Sequence, residues 1–218
     1  APAPILAPTE DGLGTLAVPH FPLLTEWAEV LEALGALYQE EHAYQTLVLD
    51  SLDWLEPLIW AQVCRDQAVK NIEAIPYAKG FAFALDYWRR FLDGVNALRA
   101  ERAMAVVLLA HAEIRRFDSP EVEPFDRYQI KLHRAAAALV EEWADCILFA
   151  NWRTYTIKTD VGFDKKIARG TGTGERLLYT EERPAFRAKN RYRLPPELPL
   201  SWAAFQAALT RQPQQAAA

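Results

Sequence analysis

Lysine and arginine are missing from the first 64 residues, which carry ten acidic side chains. That excludes a basic N-terminal arm of the kind that grips a polyanion. Methionine occurs once, as Met104, and position 1 is Ala. Cysteine occurs twice, as Cys64 and Cys146, each inside an apolar run. So low a content excludes a disulfide-stapled scaffold and predicts buried free thiols in a reducing compartment. No run approaches the roughly 20 apolar residues that span a bilayer, and no signal-peptide pattern is visible. The expectation is a soluble, cytoplasmic protein without a membrane partner. Charged residues at 24% and hydrophobic residues at 51% exclude a disordered or collagen-like chain. The 218 residues suffice for one sizeable domain, expected over 1–211 with a flexible tail at 212–218.

The basic residues gather late. Residues 153–193 hold eleven Lys and Arg against five acids in a chain whose net charge is -5. Such a segment is a candidate polyanion surface.

Hydrophobic periodicity sets the element order. Ile5-Leu6-Ala7 reads as the end of a strand. Thr25–Glu41 reads as a helix with Thr25 as N-cap, Tyr44–Asp50 as a strand, and Ser51–Arg65 as a helix rich in Trp and Leu. A polar loop over 66–77 leads to a long helix over about Ala78–Arg102. Ala105–Ala110 is an unbroken apolar strand ending at His111. Residues 112–127 are charged and interrupted by Pro, which predicts an exposed loop. Tyr128–Ala144 reads as a helix, Cys146–Ala150 as a buried strand, and 152–158, 175–180 and 185–191 as strands around a Gly-rich turn at 170–174. Trp202–Leu209 closes as a short helix. Apolar strands separated by helices predict an α/β fold with a mostly parallel sheet covered on both faces, and a C-terminal antiparallel hairpin.

In open α/β sheets ligands collect at the carboxyl ends of the strands. Glu10 and Asp11 follow the first strand, Asp50 the second and His111 the third. An apolar strand ending in Asp and then a hydroxyl, LVLD-Ser51, has the form of a Walker B segment, whose carboxylate orders Mg²⁺ beside nucleotide phosphates. The same Asp-Ser pair also suits a helix N-cap. Gly170–Gly174 lacks the Lys-Ser/Thr of a phosphate loop and reads as a hairpin turn.

Taken together, TEDGLG, LVLDSLDWLEP, the HAEIRRF segment and AKNRY, in this order from about Pro8 to Leu209, resemble the phage AAA-type nucleotide-binding proteins. These are RecA-like single-strand annealing and recombination ATPases. The resemblance implies a RecA-like core that uses ATP and Mg²⁺. Glu10 takes the place of the glutamate that activates water, Asp50 that of the Walker B aspartate, with Ser51 after it. His111 stands at the γ-phosphate sensor position, where RecA has Gln. Lys189 and Arg191 match basic residues that reach a neighbouring subunit's ATP, which implies a homo-oligomer. The partner implied is single-stranded DNA, through the 112–127 loop with Arg115, Arg116, Phe117, Arg127 and nearby Lys131. The basic hairpin with Lys158, Lys165, Lys166 and Arg169 offers a second, preferred surface. The implied location is the cytoplasm of a bacterial host.

The resemblance departs at one point: no G-x-x-x-x-G-K-[ST] loop occurs in the 218 residues. The expectation is that the sequence enters just after that loop and its strand, so that this segment alone has little ATPase activity; the other explanation is a degenerate member that no longer binds ATP. The alternatives are a non-catalytic nucleic-acid-binding or assembly module of RecA-like shape, and a metal-dependent nuclease built on Glu10, Asp11 and Asp50, which requires those carboxylates to share metal ions.

Overall fold

The computed structural model describes residues 1–160 and 166–211, and side chains outside 155–173. Its elements, in chain order, are β1 (Pro4–Pro8), α1 (Trp27–Gln39), β2 (Thr46–Asp50), α2 (Leu52–Asp66), α3 (Lys79–Glu101), β3 (Ala105–Leu108), β4 (Ala112–Phe117), β5 (Phe125–Ile130), α4 (Arg134–Trp143), β6 (Cys146–Ile147), β7 (Phe149–Asp160), β8 (Lys166–Tyr179), β9 (Lys189–Asn190), β10 (Glu197–Pro199) and α5 (Trp202–Thr210). They fall into two compact units, one of Ala1–Glu113 with Ile130–Trp143, the other of Ile114–Gln129 with the described residues from Ala144 onward. No helix among the described residues is long and apolar enough to cross a membrane.

The first unit is built on a parallel sheet in the order β1-β2-β3. Its register places Ile5, Leu47 and Val106 in one row and Ala7, Leu49 and Leu108 in another. Side chains alternate between faces along a strand, so both rows point to the same side. That side joins the core formed with α1, α2 and α3. Each helix supplies an apolar stripe at spacings of three and four: Trp27, Val30, Leu34 and Leu37 from α1, Leu55, Ile59 and Val63 from α2, Trp88, Phe91, Val95 and Leu98 from α3. Each such side chain contributes about 1.5–3 kcal/mol through burial.

The opposite row, Leu6, Val48 and Val107, stands outside that core, and Val48 and Val107 are only half-buried. The expected cover on both faces is therefore realised on one. Pro19 to Leu24 shields the outer edge of β1, with Leu6 N–H donating to Pro19 O and Phe21 N–H to Leu6 O, both at 2.9 Å. Among the described residues no further strand pairs with β3.

The second unit is antiparallel. β7 pairs with β8 from Phe149↔Tyr179 to Asp160↔Lys166, and β10 pairs on the other edge of β8. This is the hairpin expected from the sequence. Phe149, Tyr179 and Phe186 form one small core, and Leu194, Leu198 and Ala208 of α5 form another.

Several boundaries differ from the sequence reading. Residues 112–127 are not a loop throughout, because β4 and β5 pair across them. Along β4 exposed and half-buried residues alternate, the period of a strand, which the density of charge obscured. The helix expected from Tyr128 starts at Arg134, since β5 continues to Ile130. Gly170–Gly174 lies inside β8 and is not a turn. Cys146–Ala150 is not a buried parallel strand but contributes to the short antiparallel β6 and the start of β7. A five-residue apolar run has no length from which its environment could be told. The cap of α1 is Glu26 rather than Thr25. Glu29 accepts the N–H groups of Thr25 (2.7 Å) and Glu26 (3.1 Å), and these bonds hold its carboxyl below the ordinary value. Both cysteines are free and half-buried, and burial together with nearby Asp145 pushes the Cys146 thiol up to about 11.

Two glycines separate propensity from packing. A Cβ at Gly80, in the first turn of α3, would sit 2.6 Å from the Ile72 carbonyl oxygen, whereas one at Gly35 in α1 meets nothing within 4 Å. Urea unfolding is expected to show Gly80→Ala destabilised by about 1–3 kcal/mol from overpacking. Gly35→Ala gains up to about 1 kcal/mol from helix propensity.

Candidate functional site at the strand ends

The carboxyl ends of β1, β2 and β3 are tied by hydrogen bonds that leave little freedom. Thr9, just past β1, donates its hydroxyl to Ser51 O at 2.7 Å and accepts the Ser51 N–H at 2.8 Å. Its own N–H reaches Asp50 O at 2.7 Å. Both Thr9 and Ser51 are buried. Leu109 N–H donates to Leu49 O at 3.0 Å, and Leu52 N–H to Leu109 O at 2.8 Å, which fixes the end of β3 against the start of α2. The Asp50–Ser51 peptide is cis.

This scaffold brings together Glu10, Asp50, Ser51 and His111. Asp50, Asp53 and His111 lie close enough to the Glu10 carboxyl to act on its charge. Burial raises the Glu10 pKa, the His111 charge lowers it, and Asp50 and Asp53 raise it again, for a net rise. A carboxyl group beside other acids is held toward its neutral form. Mg²⁺ keeps several waters and binds through one or two carboxylates plus phosphate oxygens, so this donor set fits Mg²⁺ in a nucleotide complex. Among the described residues there is no group of three or more His, Cys, Asp or Glu that could hold a metal ion. The shared carboxylate cluster needed for the nuclease alternative is thus not assembled.

Asp53, one turn into α2, went unnoticed in the sequence as a site residue. Its side chain is only 2% exposed. It accepts the Ser51 hydroxyl at 2.8 Å and the His111 backbone N–H at 3.0 Å, both on Oδ1, and His111 Nδ1 lies 3.1 Å from Oδ2. Lys131 Nζ stands 3.6 Å from Oδ2, and the Lys131 N–H donates to His111 O at 2.9 Å. Lys131 thus belongs to the strand-end cluster and not to a loop facing DNA. The signal that could have found Asp53 is its place two residues after Ser51, in the first helical turn.

The remaining expected residues belong to the second unit. Lys189 is half-buried on β9. Arg191 pairs with Asp145 at 3.1 Å, and its N–H donates to Asp145 O. Arg115 and Arg116 lie on β4, where Arg116 faces Asp126 at 3.8 Å. Arg127 is not a surface group: it is 5% exposed, bonded to Glu182 at 2.8 Å and stacked over Phe117. Lys158 stands on β7 and Lys166 and Arg169 on β8; their side chains, and Lys165 and 212–218 entirely, lie outside the described residues.

A family model described as an AAA domain matches residues 1–192. The chain belongs to the AAA domain family. No curated protein and no solved structure matches it in the corresponding comparisons. Membership makes this an AAA-type nucleotide-binding domain, and the match covers Glu10, Asp50, Ser51, His111, Lys189 and Arg191. Thr9 holds the strand ends of this AAA domain together through its bonds to Ser51. Thr9→Val leaves the buried Ser51 N–H and C=O unpaired and is expected to cost about 1–3 kcal/mol in urea unfolding. Thr9→Ser, which keeps the hydroxyl, stays near the parent.

Proposed function

We propose that this chain is the hydrolytic part of a phage RecA-like ATPase that acts on single-stranded DNA in recombination or strand annealing. The observation that carries the reading is the convergence of Glu10, Asp50, Ser51 and His111 at one end of a parallel sheet. In it Asp50 holds Mg²⁺ through water and Ser51 closes the strand end. Glu10 is the carboxylate that orients an attacking water, and His111 faces the terminal phosphate. Bound Mg·ATP supplies the phosphoryl group and the metal charge that neutralises its oxygens. Lys189 and Arg191 act on the site of a neighbouring copy, which makes the working form a homo-oligomer and adds fixed positive charge where negative charge develops. Arg115, Arg116, Lys158, Lys165, Lys166 and Arg169 contact the DNA backbone. In single-strand binding such cations supply a salt-dependent attraction that does not depend on sequence.

Phosphate binding is assigned to a strand–loop–helix bearing G-x-x-x-x-G-K-[ST], a motif the 218 residues do not contain. The edge of β3 that no strand pairs among the described residues, with the half-buried row of Val48 and Val107, offers such a segment a place to pair and pack.

The lack of that motif also favours a second reading, a non-catalytic nucleic-acid-binding or assembly module. Phosphate release and oligothymidylate binding separate the two. The 218 residues alone are expected to hydrolyse ATP at background. Joined to a family phosphate-loop segment they turn it over, and Asp50→Ala lowers that turnover at least about 10²-fold, the scale of losing one charge-stabilising group. Turnover by the 218 residues alone that Asp50→Ala abolishes would contradict the assignment of phosphate binding. An inactive joined protein whose oligothymidylate binding ignores ATP and Asp50→Ala, yet weakens on charge reversal at Lys165 and Lys166, establishes the second reading.

A further inference from the structure

Asp53 has the wrong surroundings for an ordinary first-turn helix acid. Such residues usually sit in solvent and balance the helix dipole or cap their own backbone N–H groups. The side chain of Asp53 is buried and turned toward a different part of the chain, where it meets both the backbone and the ring of His111. The groups around it are all donors: Ser51 Oγ at 2.8 Å, His111 N at 3.0 Å, His111 Nδ1 at 3.1 Å and Lys131 Nζ at 3.6 Å. Burial pushes the Asp53 carboxyl up, but the hydrogen bonds from the His111 N–H, the Ser51 hydroxyl and the His111 ring outweigh it and hold it below the ordinary value. At neutral pH it is an ionised group that only accepts hydrogen bonds.

We infer that Asp53 is a positioning residue that fixes His111 in the tautomer carrying its proton on Nδ1, with Nε2 turned away from Asp53 as a bare acceptor. The inference rests on reading the strand ends as the nucleotide site, and it changes what His111 does there. A neutral ring in this tautomer offers no donor to a phosphate oxygen. It accepts a hydrogen from water, the same polarity as Glu10, so both side chains hold the attacking water. Donation to phosphate is left to the imidazolium form. The logic is that of other carboxylate–histidine pairs, in which the second nitrogen's partner decides which nitrogen is available.

Substitution by Asn reverses the arrangement for a definite reason. Oδ1 accepts from both Ser51 and the His111 N–H, so the amide oxygen of Asp53→Asn stays at that corner. The amide nitrogen then takes the place of Oδ2, the nearer oxygen to Nδ1 at 3.1 Å against 3.2 Å for Oδ1, and donates to Nδ1, which shifts the ring proton toward Nε2. Long-range ¹H–¹⁵N spectra of ¹⁵N-histidine-labelled protein read this directly, with the His111 signals assigned by their loss in His111→Gln. Wild type is expected to show Nε2 as the unprotonated nitrogen of the neutral ring, and Asp53→Asn to show the opposite tautomer with a cooperative urea transition retained. A wild-type ring protonated on Nε2 overturns the inference, whatever becomes of the variant. So does an unchanged tautomer in a folded Asp53→Ala, which removes both oxygens within reach of Nδ1. The tautomer is read without nucleotide. A failed ATPase assay therefore leaves it untouched, and a wrong tautomer leaves the ATPase assay untouched.

Discussion

Parallel pairing of β2 with β1 on one side and β3 on the other is the constraint on which the rest depends. Parallel strands run in one direction, so their carboxyl ends meet at one edge of the sheet, and whatever follows each strand is delivered to the same place. The register puts Pro8 beside Asp50 and Leu49 beside Leu108. The residues one to three positions later, Glu10, Ser51 and His111, are neighbours without any further device. Thr9 then locks the junction, because its hydroxyl satisfies the N–H and C=O of a Ser51 that has no access to water. A buried backbone group left unpaired costs about as much as a hydrogen bond, so the strand ends have few alternative arrangements.

The chemistry at this edge follows from opposed charges held close. Burial and the neighbouring acids raise the Glu10 pKa. Burial also acts on Asp53, three residues along from Asp50, but hydrogen bonds from the His111 N–H, the Ser51 hydroxyl and the His111 ring outweigh it and hold this carboxyl below the ordinary value. The same edge thus holds one acid whose pKa is raised and one whose pKa is lowered, the second bonded to His111. Environments that drive neighbouring titratable groups apart are a mark of functional sites. Here the arrangement suits a divalent cation at Asp50 and a fixed imidazole at His111.

Much of the first unit was legible in the sequence. The apolar runs at Ile5-Leu6-Ala7, Tyr44–Asp50 and Ala105–Ala110 alternate with stripes such as Trp88, Phe91, Val95 and Leu98. Each contains or falls inside its strand, the last two running two residues longer than β2 and β3. The acids and the His at strand ends could be placed for the same reason. Asp53 was hidden because its importance comes from a backbone N–H fifty-eight residues away, and no local pattern reports such a contact. Lys131 was hidden because β5 continues past Tyr128 to Ile130 and delivers it to the strand ends, whereas its helical surroundings suggested otherwise. In the second unit charge misled. Along β4 the alternating Arg, Glu and Phe read as loop, although alternation is itself the sign of a strand. Arg127, taken for a surface cation, is an internal brace for Glu182 and Phe117.

Titration of ¹⁵N-labelled protein with Mn²⁺ tests most directly the claim that these strand ends form one cation-dependent site. Paramagnetic broadening should appear first at the amides of residues 9–12, 50–53 and 110–112, and Asp50→Ala should remove it. Broadening spread over the acidic faces of the N-terminal helices, or indifferent to Asp50→Ala, would contradict the account.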